Sequence, residues 1–244
     1  MNNASMLYAG TSGFAYASWK PDFYPAKLPA TRFLEFYAQR LNSTEINYTF
    51  RRLPSASTLE AWVNAVPADF VFSLKAHMRL THILKLRNTS EFLEVFLKAI
   101  DPLRSARRLG PILFQLPPAL KFDPLLLSDF LALLPDDLRY TFEFRNTSWL
   151  VSETYQLLEK HNAALCLAES DKLVIPPVIT AGFIYSRLRK SDYTSEDREE
   201  IAARLEILLK QGHDIYIYFK HEETPAGAAY AEELLTRFKP ASAI

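Results

Sequence analysis

Apolar and polar positions along this chain follow two rhythms, and the rhythms take turns. Short stretches that are continuously apolar or alternate with period two cover residues 7–12, 43–49, 70–76, 109–116, 139–149, 163–169, 181–188 and 214–220, and predict β-strands. Between them the apolar spacing changes to that of one helical face. Phe33, Leu34, Tyr37 and Leu41 share a face after Thr31, as do Leu59, Trp62, Val63 and Val66 over 55–66, and Phe92, Leu93, Phe96 and Ile100 from 89 to about 106. Further helices are expected over 123–134, 152–161 and 194–211, and from Thr224-Pro225 onward, with threonine as cap and proline at the first helical position. Ser55 or Ser57 should cap the second helix, and Pro102 is a candidate break in the third. No helical pattern follows 163–169, where a helix-poor link runs through Pro176-Pro177. The loop 14–29 carries Trp19, Phe23 and Tyr24, is too apolar for a tail, and should pack as a lid or plug over one end of the fold.

Strand and helix thus alternate for about eight rounds with one helix missing or reduced. That rhythm predicts an α/β fold, a single TIM-type (β/α) barrel of about eight parallel strands, in preference to an open doubly wound sheet. Without linkers, repeats or low-complexity tracts, the economical reading is one domain over 1–244 with a core of about 7–238.

The stretch 139–149 is the most telling one. Tyr140, Phe142 and Phe144 fall on one face and Thr141, Glu143 and Arg145 on the other. Because the neighbouring strands read as buried on both sides, the polar face should point into an enclosed space. A carboxylate and a guanidinium are costly there unless they serve each other or a ligand.

A barrel gathers its active site at the carboxyl ends of its strands. Those ends offer Ser12, Glu45 with Asn47, Lys75, Gln115, Glu143 with Arg145, Glu169, Arg187, and Tyr218 with Lys220, while the loop after Lys75 adds His82. Any one of these alone reads as a cap, a loop anchor or a structural ion pair. Their equivalent positions are what make a site. Lys75 and Glu143 are the catalytic candidates. Glu143 would act as base or hydroxyl acceptor, and a desolvated Lys75 as base, Schiff-base amine or anion binder. Ser12, Glu45, Asn47, His82, Gln115, Arg145, Arg187 and Tyr218 are the substrate-binding candidates, with Arg145 and Arg187 as anion clamps. A second basic cluster, Arg187, Arg189 and Lys190 with Lys220 and His221, lies near the helix start at Thr224-Pro225, where barrels often hold a phosphate. Glu222 and Glu223 oppose it, and a chain with only six glycines has no glycine-rich phosphate loop.

Composition narrows the picture. With 49% hydrophobic and 23% charged residues the chain is an ordinary globular one, and its 28 basic residues equal its 28 acidic ones, so no overall field draws it to a polyanion. The single cysteine, Cys166, sits in an apolar run, which excludes an intramolecular disulfide and predicts an inert thiol. No apolar run is long enough to span a bilayer and no leader opens the chain, so a soluble cytoplasmic protein without a membrane partner is expected. The five histidines show no ligand spacing, so no metal ligands and no organic cofactor are assigned; a divalent metal stays a secondary expectation.

Several ordered segments are shared with a known family. Gly10-Thr11-Ser12-Gly13, Phe23-Tyr24-Pro25, Thr44-Glu45-Ile46-Asn47 with Thr49-Phe50, Arg52-Leu53-Pro54-Ser55, Thr81-His82, Leu113 to Pro118, Glu143-Phe144-Arg145 with Ser148-Trp149, and Thr180-Ala181 with Tyr185 and Arg187 resemble the YecE-like family, the domain of unknown function DUF72. The likeness runs from about Tyr8 to Phe238. It implies a TIM-type barrel with Glu45, Asn47, Lys75, His82, Gln115, Glu143, Arg145 and Arg187 around the pocket, and implies no activity. The chain departs from the family where Arg189-Lys190 replaces a His-Gly pair and Lys220-His221 replaces asparagines, and at Glu169, Phe14 and Arg51. These changes make the far side of the mouth more basic.

Together the residues predict an enzyme acting on a small polar or anionic metabolite, a sugar or a possibly phosphorylated sugar, by acid-base chemistry. One alternative is a nucleic-acid-binding or metal-dependent barrel like endonuclease IV, with Trp19 and Tyr24 as stacking rings. The other is a non-catalytic ligand-binding protein.

Overall fold

The computed structural model describes residues 5–169, 175–220 and 222–239. Its frame is eight strands: β1 (Leu7–Ser12), β2 (Ser43–Ile46), β3 (Val71–Lys75), β4 (Leu109–Gln115), β5 (Tyr140–Glu143), β6 (Ala164–Ala168), β7 (Phe183–Leu188) and β8 (Asp214–Phe219). Each pairs in parallel with the next, and β8 pairs with β1 through Leu7 to Thr11, so the sheet closes into a ring. Around it lie α1 (Phe33–Ala38), α2 (Ala56–Asn64), α3 (Ser90–Ser105), α4 (Pro124–Leu131), α5 (Ser152–Lys160), α6 (Ser195–Lys210) and α7 (Ala226–Arg237). Among the described residues no helix follows β6, in line with the weak pattern there.

Two faces per strand account for the two buried clusters. Outward-facing Phe72, Ile112, Phe114, Phe142, Ile215, Ile217 and Phe219 pack under the helices in one large core. Leu113, Ala164, Cys166, Phe183, Tyr185, Tyr216 and Tyr218 fill the lumen in a second. The amino-terminal end of the lumen is shut by Tyr8, stacked on Tyr216 at 4.7 Å, and by Arg139, which donates to the Tyr216 hydroxyl at 2.8 Å. One layer higher the Tyr218 hydroxyl lies 2.6 Å from Ser43 Oγ and 2.8 Å from Ser73 Oγ. Gly10 is needed at this level, since a Cβ there would sit 1.8 Å from the Ser43 carbonyl oxygen. The barrel is filled from below, and its ionic groups gather at the carboxyl rim.

Several expected boundaries shift. The second strand stops at Ile46, and residues Tyr48–Phe50 form a short 3-10 turn, so Asn47 leaves the shared face with Glu45. The fifth strand stops at Glu143; Phe144 continues the apolar alternation only to stack on Trp149 at 4.8 Å, and Thr147–Trp149 is another 3-10 turn. α3 runs on through Pro102, which falls in its last turn, where the lost hydrogen bond would have gone to the carbonyl of exposed Lys98. Ser55 caps α2 as expected, accepting from the Thr58 N–H at 3.2 Å. In α7, by contrast, Pro225 itself occupies the cap position and no side chain caps the helix. The aromatic loop packs sideways on α1, with Tyr24 stacked on Phe33 at 4.1 Å, so it braces the wall of the ring more than it covers an end.

Candidate active site

Most inward strand faces end on a polar residue, the one on β6 ending on Ala168, and these polar residues make the rim. Ser12 closes β1, Glu45 lies on β2, Lys75 ends β3, Gln115 ends β4, Glu143 ends β5 and Arg187 lies on β7, with the register setting Ser12 beside Glu45, Gln115 beside Glu143 and Ala168 beside Arg187. The sequence thus brings them to one level although they are far apart along the chain.

Glu45, Glu143 and Arg187 are buried and joined across the lumen. Arg187 donates to Glu143 Oε2 at 2.5 Å and to Glu45 Oε1 at 2.7 Å. Ser12 Oγ donates to Glu45 Oε1 at 2.7 Å, and the Tyr185 hydroxyl to Glu45 Oε2, also at 2.7 Å. Glu143 accepts further from Arg145 at 3.1 Å and from Arg189 on both oxygens, each at 3.1 Å. Two buried carboxylates without such partners would be strongly destabilising; here every oxygen is engaged. Burial alone would weaken the hold of Arg187 on its proton, but the two carboxylates outweigh it and raise the pKa. Burial, and then the charge of Glu45, push the Tyr185 hydroxyl well above its ordinary value, so it stays a donor. The Nε–H groups of Arg187 and Arg189 are buried and have no acceptor among the described residues.

Lys75 sits apart from this network. Its amine donates to Gln115 Oε1 at 2.8 Å and lies 4.1 Å from the centre of the Phe50 ring, and no carboxylate among the described residues comes within 4.0 Å of it. Thr49 Oγ1 donates to the Lys75 carbonyl at 2.6 Å, fixing the strand end. Desolvation first, and then the positive charge of Arg187, bring the amine down from 10.5 to about 8, against the pull of Glu45 and Glu143. His82 follows in a single π turn, Arg79–Ile83, with its ring edge-on to Phe50 at 5.0 Å and Nδ1 2.8 Å from Thr81 Oγ1. Partial burial and the nearby Lys75 lower its pKa.

Ser12, Glu45, Lys75, Gln115, Glu143 and Arg187 are therefore brought together, with Arg145 at the open edge and His82 behind Phe50. Asn47 lies beyond its strand, and Tyr218 is a layer too deep, tied to Ser43 and Ser73. Glu169 binds the Tyr193 hydroxyl instead of the network. The second basic cluster disperses: Lys190 pairs with Asp197 at 2.7 Å and Lys220 with Glu222 at 3.4 Å, while Arg189 turns inward to Glu143. His221 lies outside the described residues. Trp19 and Tyr24 are fully buried, so neither offers a stacking face to a base. Sequence reasoning gave no site role to Tyr185 or Phe50, and placed Arg189 in a phosphate-binding cluster apart from Glu143. Tyr185 shares the period-two face of Arg187, and that signal was present; the other two depend on how the chain turns after its strand. Among the described residues no group of three or more His, Cys, Asp and Glu could hold a metal ion, and no helix is long and apolar enough to cross a membrane.

The motifs at this rim can be set against known proteins. The family described as "Protein of unknown function DUF72" matches residues 8–243. The chain belongs to the DUF72 family. Among solved structures, a DUF72 family protein of Thermotoga maritima MSB8 is 25% identical, with a TM-score of 0.85 over 96% of this chain and 100% of that one. A DUF72 family protein of Enterococcus faecalis V583 is 17% identical, with a TM-score of 0.78 over 99% and 100% of the two chains. An AP endonuclease, family 2, of Brucella melitensis is 10% identical, with a TM-score of 0.54 over 97% and 100%, a likeness of fold alone. No curated protein matches the chain. DUF72 membership accounts for the ring and its shared motifs and leaves the chemistry to be argued from the rim.

Proposed function

We propose that this DUF72 protein is an enzyme that acts on a small polar, anionic metabolite of the sugar or sugar-phosphate type by acid-base chemistry at the barrel rim, with Lys75 as the acid-base group. The observation that carries this reading is the mostly buried Lys75 amine, without a carboxylate partner and drawn down to about 8, beside a network in which every carboxylate oxygen is engaged. Such an amine can take up and give back a proton near neutral pH. Glu143, held by three arginines, has little capacity left to act as a base; it orients Arg145, Arg187 and Arg189.

The charge count supports an anionic ligand. Two carboxylates, Glu45 and Glu143, face three guanidiniums, Arg145, Arg187 and Arg189, with Lys75 in addition. The Nε–H groups on Arg187 and Arg189, without acceptors among the described residues, add donors that an oxyanion would satisfy. Screening anionic and neutral metabolites by thermal shift, followed by turnover assays, tests the reading. Stabilisation by anionic compounds, weakened in Arg145→Met and lost as a rate in Lys75→Ala, is expected, with a pH-rate profile rising through about 8. Binding with no turnover on any hit would favour a ligand-binding protein, and no difference between anionic and neutral compounds would defeat the proposal.

A further inference from the structure

Lys75 has an environment that acid-base work alone does not require. Three roles are open to a lysine at a strand end: anion binder, base and nucleophile. Anion binding wants a charged amine, yet Arg187 and the low-dielectric surroundings disfavour the charge, and the rim already has three guanidiniums for that purpose. Among the described residues its side-chain hydrogen-bond partner is a neutral carbonyl, Gln115 Oε1 at 2.8 Å. A carboxylate in that place would hold the proton on; an amide carbonyl accepts one N–H and leaves the nitrogen free to be neutral. The Phe50 ring 4.1 Å away shields one side of the amine from water, and the Thr49 bond to the Lys75 carbonyl anchors the strand end that carries it. The result is an amine held in one direction between the Phe50 ring and the rim cations, whose neutral form becomes accessible near pH 8.

We infer that Lys75 forms an imine with the carbonyl carbon of a small anionic aldehyde or ketone whose carboxylate or phosphate is held by Arg145 and Arg189. The inference rests on the enzymatic reading above and specifies its substrate class. In the step, the nitrogen lone pair adds to the carbonyl carbon and the π pair moves to oxygen, which takes up a proton, while the nitrogen gives one up, to form a carbinolamine. The nitrogen pair then expels that hydroxyl, after its protonation, as water, giving the iminium ion. No oxidant or reductant is consumed. The iminium withdraws electrons from the adjacent carbon, so that proton transfer there becomes easy.

Trapping on the intact protein tests this. The chain is incubated at about pH 8 with glyoxylate, glycolaldehyde phosphate or neutral glycolaldehyde, each with cyanoborohydride, whose hydride converts an imine to a stable secondary amine, and labelled peptides are read by mass spectrometry. Lys75 is expected to label at least about tenfold faster than surface lysines. The labelling should saturate with one or both anionic aldehydes, slow in Arg145→Met, and show no such preference with glycolaldehyde; glyoxylate against the phosphate ester tells which anion is read. Labelling spread evenly over surface lysines, with Lys75 no faster, would overturn the inference. Competitive acetylation across pH separates the two ideas. If Lys75 titrates near 8 and anionic metabolites still stabilise the protein, imine formation fails and the acid-base reading stands; if neither holds, both fail.

Discussion

Replacing Lys75 by methionine should make this protein more stable at pH 7 and remove its chemistry. In the unfolded chain the amine keeps its proton up to about 10.5, whereas in the folded rim it does so only up to about 8. Between these values the unfolded chain binds more protons, so stability rises with pH across that window, and below it the folded protein carries the full cost of a poorly solvated charge. At about 1.4 kcal/mol for each tenfold, the gap corresponds to roughly 3 kcal/mol, and residual solvent contact reduces that to about 2. Methionine fills a similar volume without a charge but gives up the bond to Gln115, worth about 1 kcal/mol. The net expectation is a gain of about 1 kcal/mol at pH 7, or roughly 2–4 °C in Tm for a chain of this size. At about pH 9.5 the folded amine is neutral but the unfolded one is still largely charged, so about 1 kcal/mol of the penalty remains; it matches the lost Gln115 bond, and the net gain should be close to zero. Urea unfolding of parent and Lys75→Met at both pH values measures this. A variant less stable than the parent at pH 7, or a difference that does not change with pH, would refute the account of a desolvated, unpaired amine.

Arg187→Met should cost about 3–5 kcal/mol at neutral pH, because Glu45 keeps only two hydroxyl donors in a fully buried position. Adding Glu45→Gln to that variant should restore part of the loss, and urea titrations of the single and double variants would show it. Gly10→Ala places a methyl group against the Ser43 carbonyl oxygen and should separate β1 from β2; a loss of more than about 2 kcal/mol in thermal or urea unfolding is expected. Cys166 is fully buried, and desolvation pushes its thiol well above the ordinary range, so a thiol reagent should find nothing in the native protein and one equivalent after denaturation.

The rim was legible in the sequence where a polar residue closes a largely apolar, strand-length run. Ser12, Lys75, Gln115 and Glu143 fit that description and lie where expected. Tyr218 fits it too, yet its hydroxyl belongs to Ser43 and Ser73, serines on other strands that come near only when the ring closes. The excess length predicted for the second and fifth strands has a related cause. Asn47 and Phe144 continue a period of two in the sequence, but the strands have already ended and 3-10 turns follow at Tyr48–Phe50 and Thr147–Trp149; local alternation does not show where a strand stops. Arg189 and Lys190 are neighbours of equal charge, and only the direction of the chain after Leu188 sends one to Glu143 and the other to Asp197.

The link between Glu45, Arg187 and Glu143 also bears on how the protein is made. The guanidinium follows one carboxylate by 142 positions and the other by 44, so a chain growing from its amino terminus presents both acids well before their common counter-ion. A half-made ring that closed early would confine both acids with only Arg145, beside Glu143, to offset them, which makes such a collapse less favourable. Arrival of the seventh strand removes that brake, which ties completion of the cylinder to the moment its interior chemistry becomes neutralised.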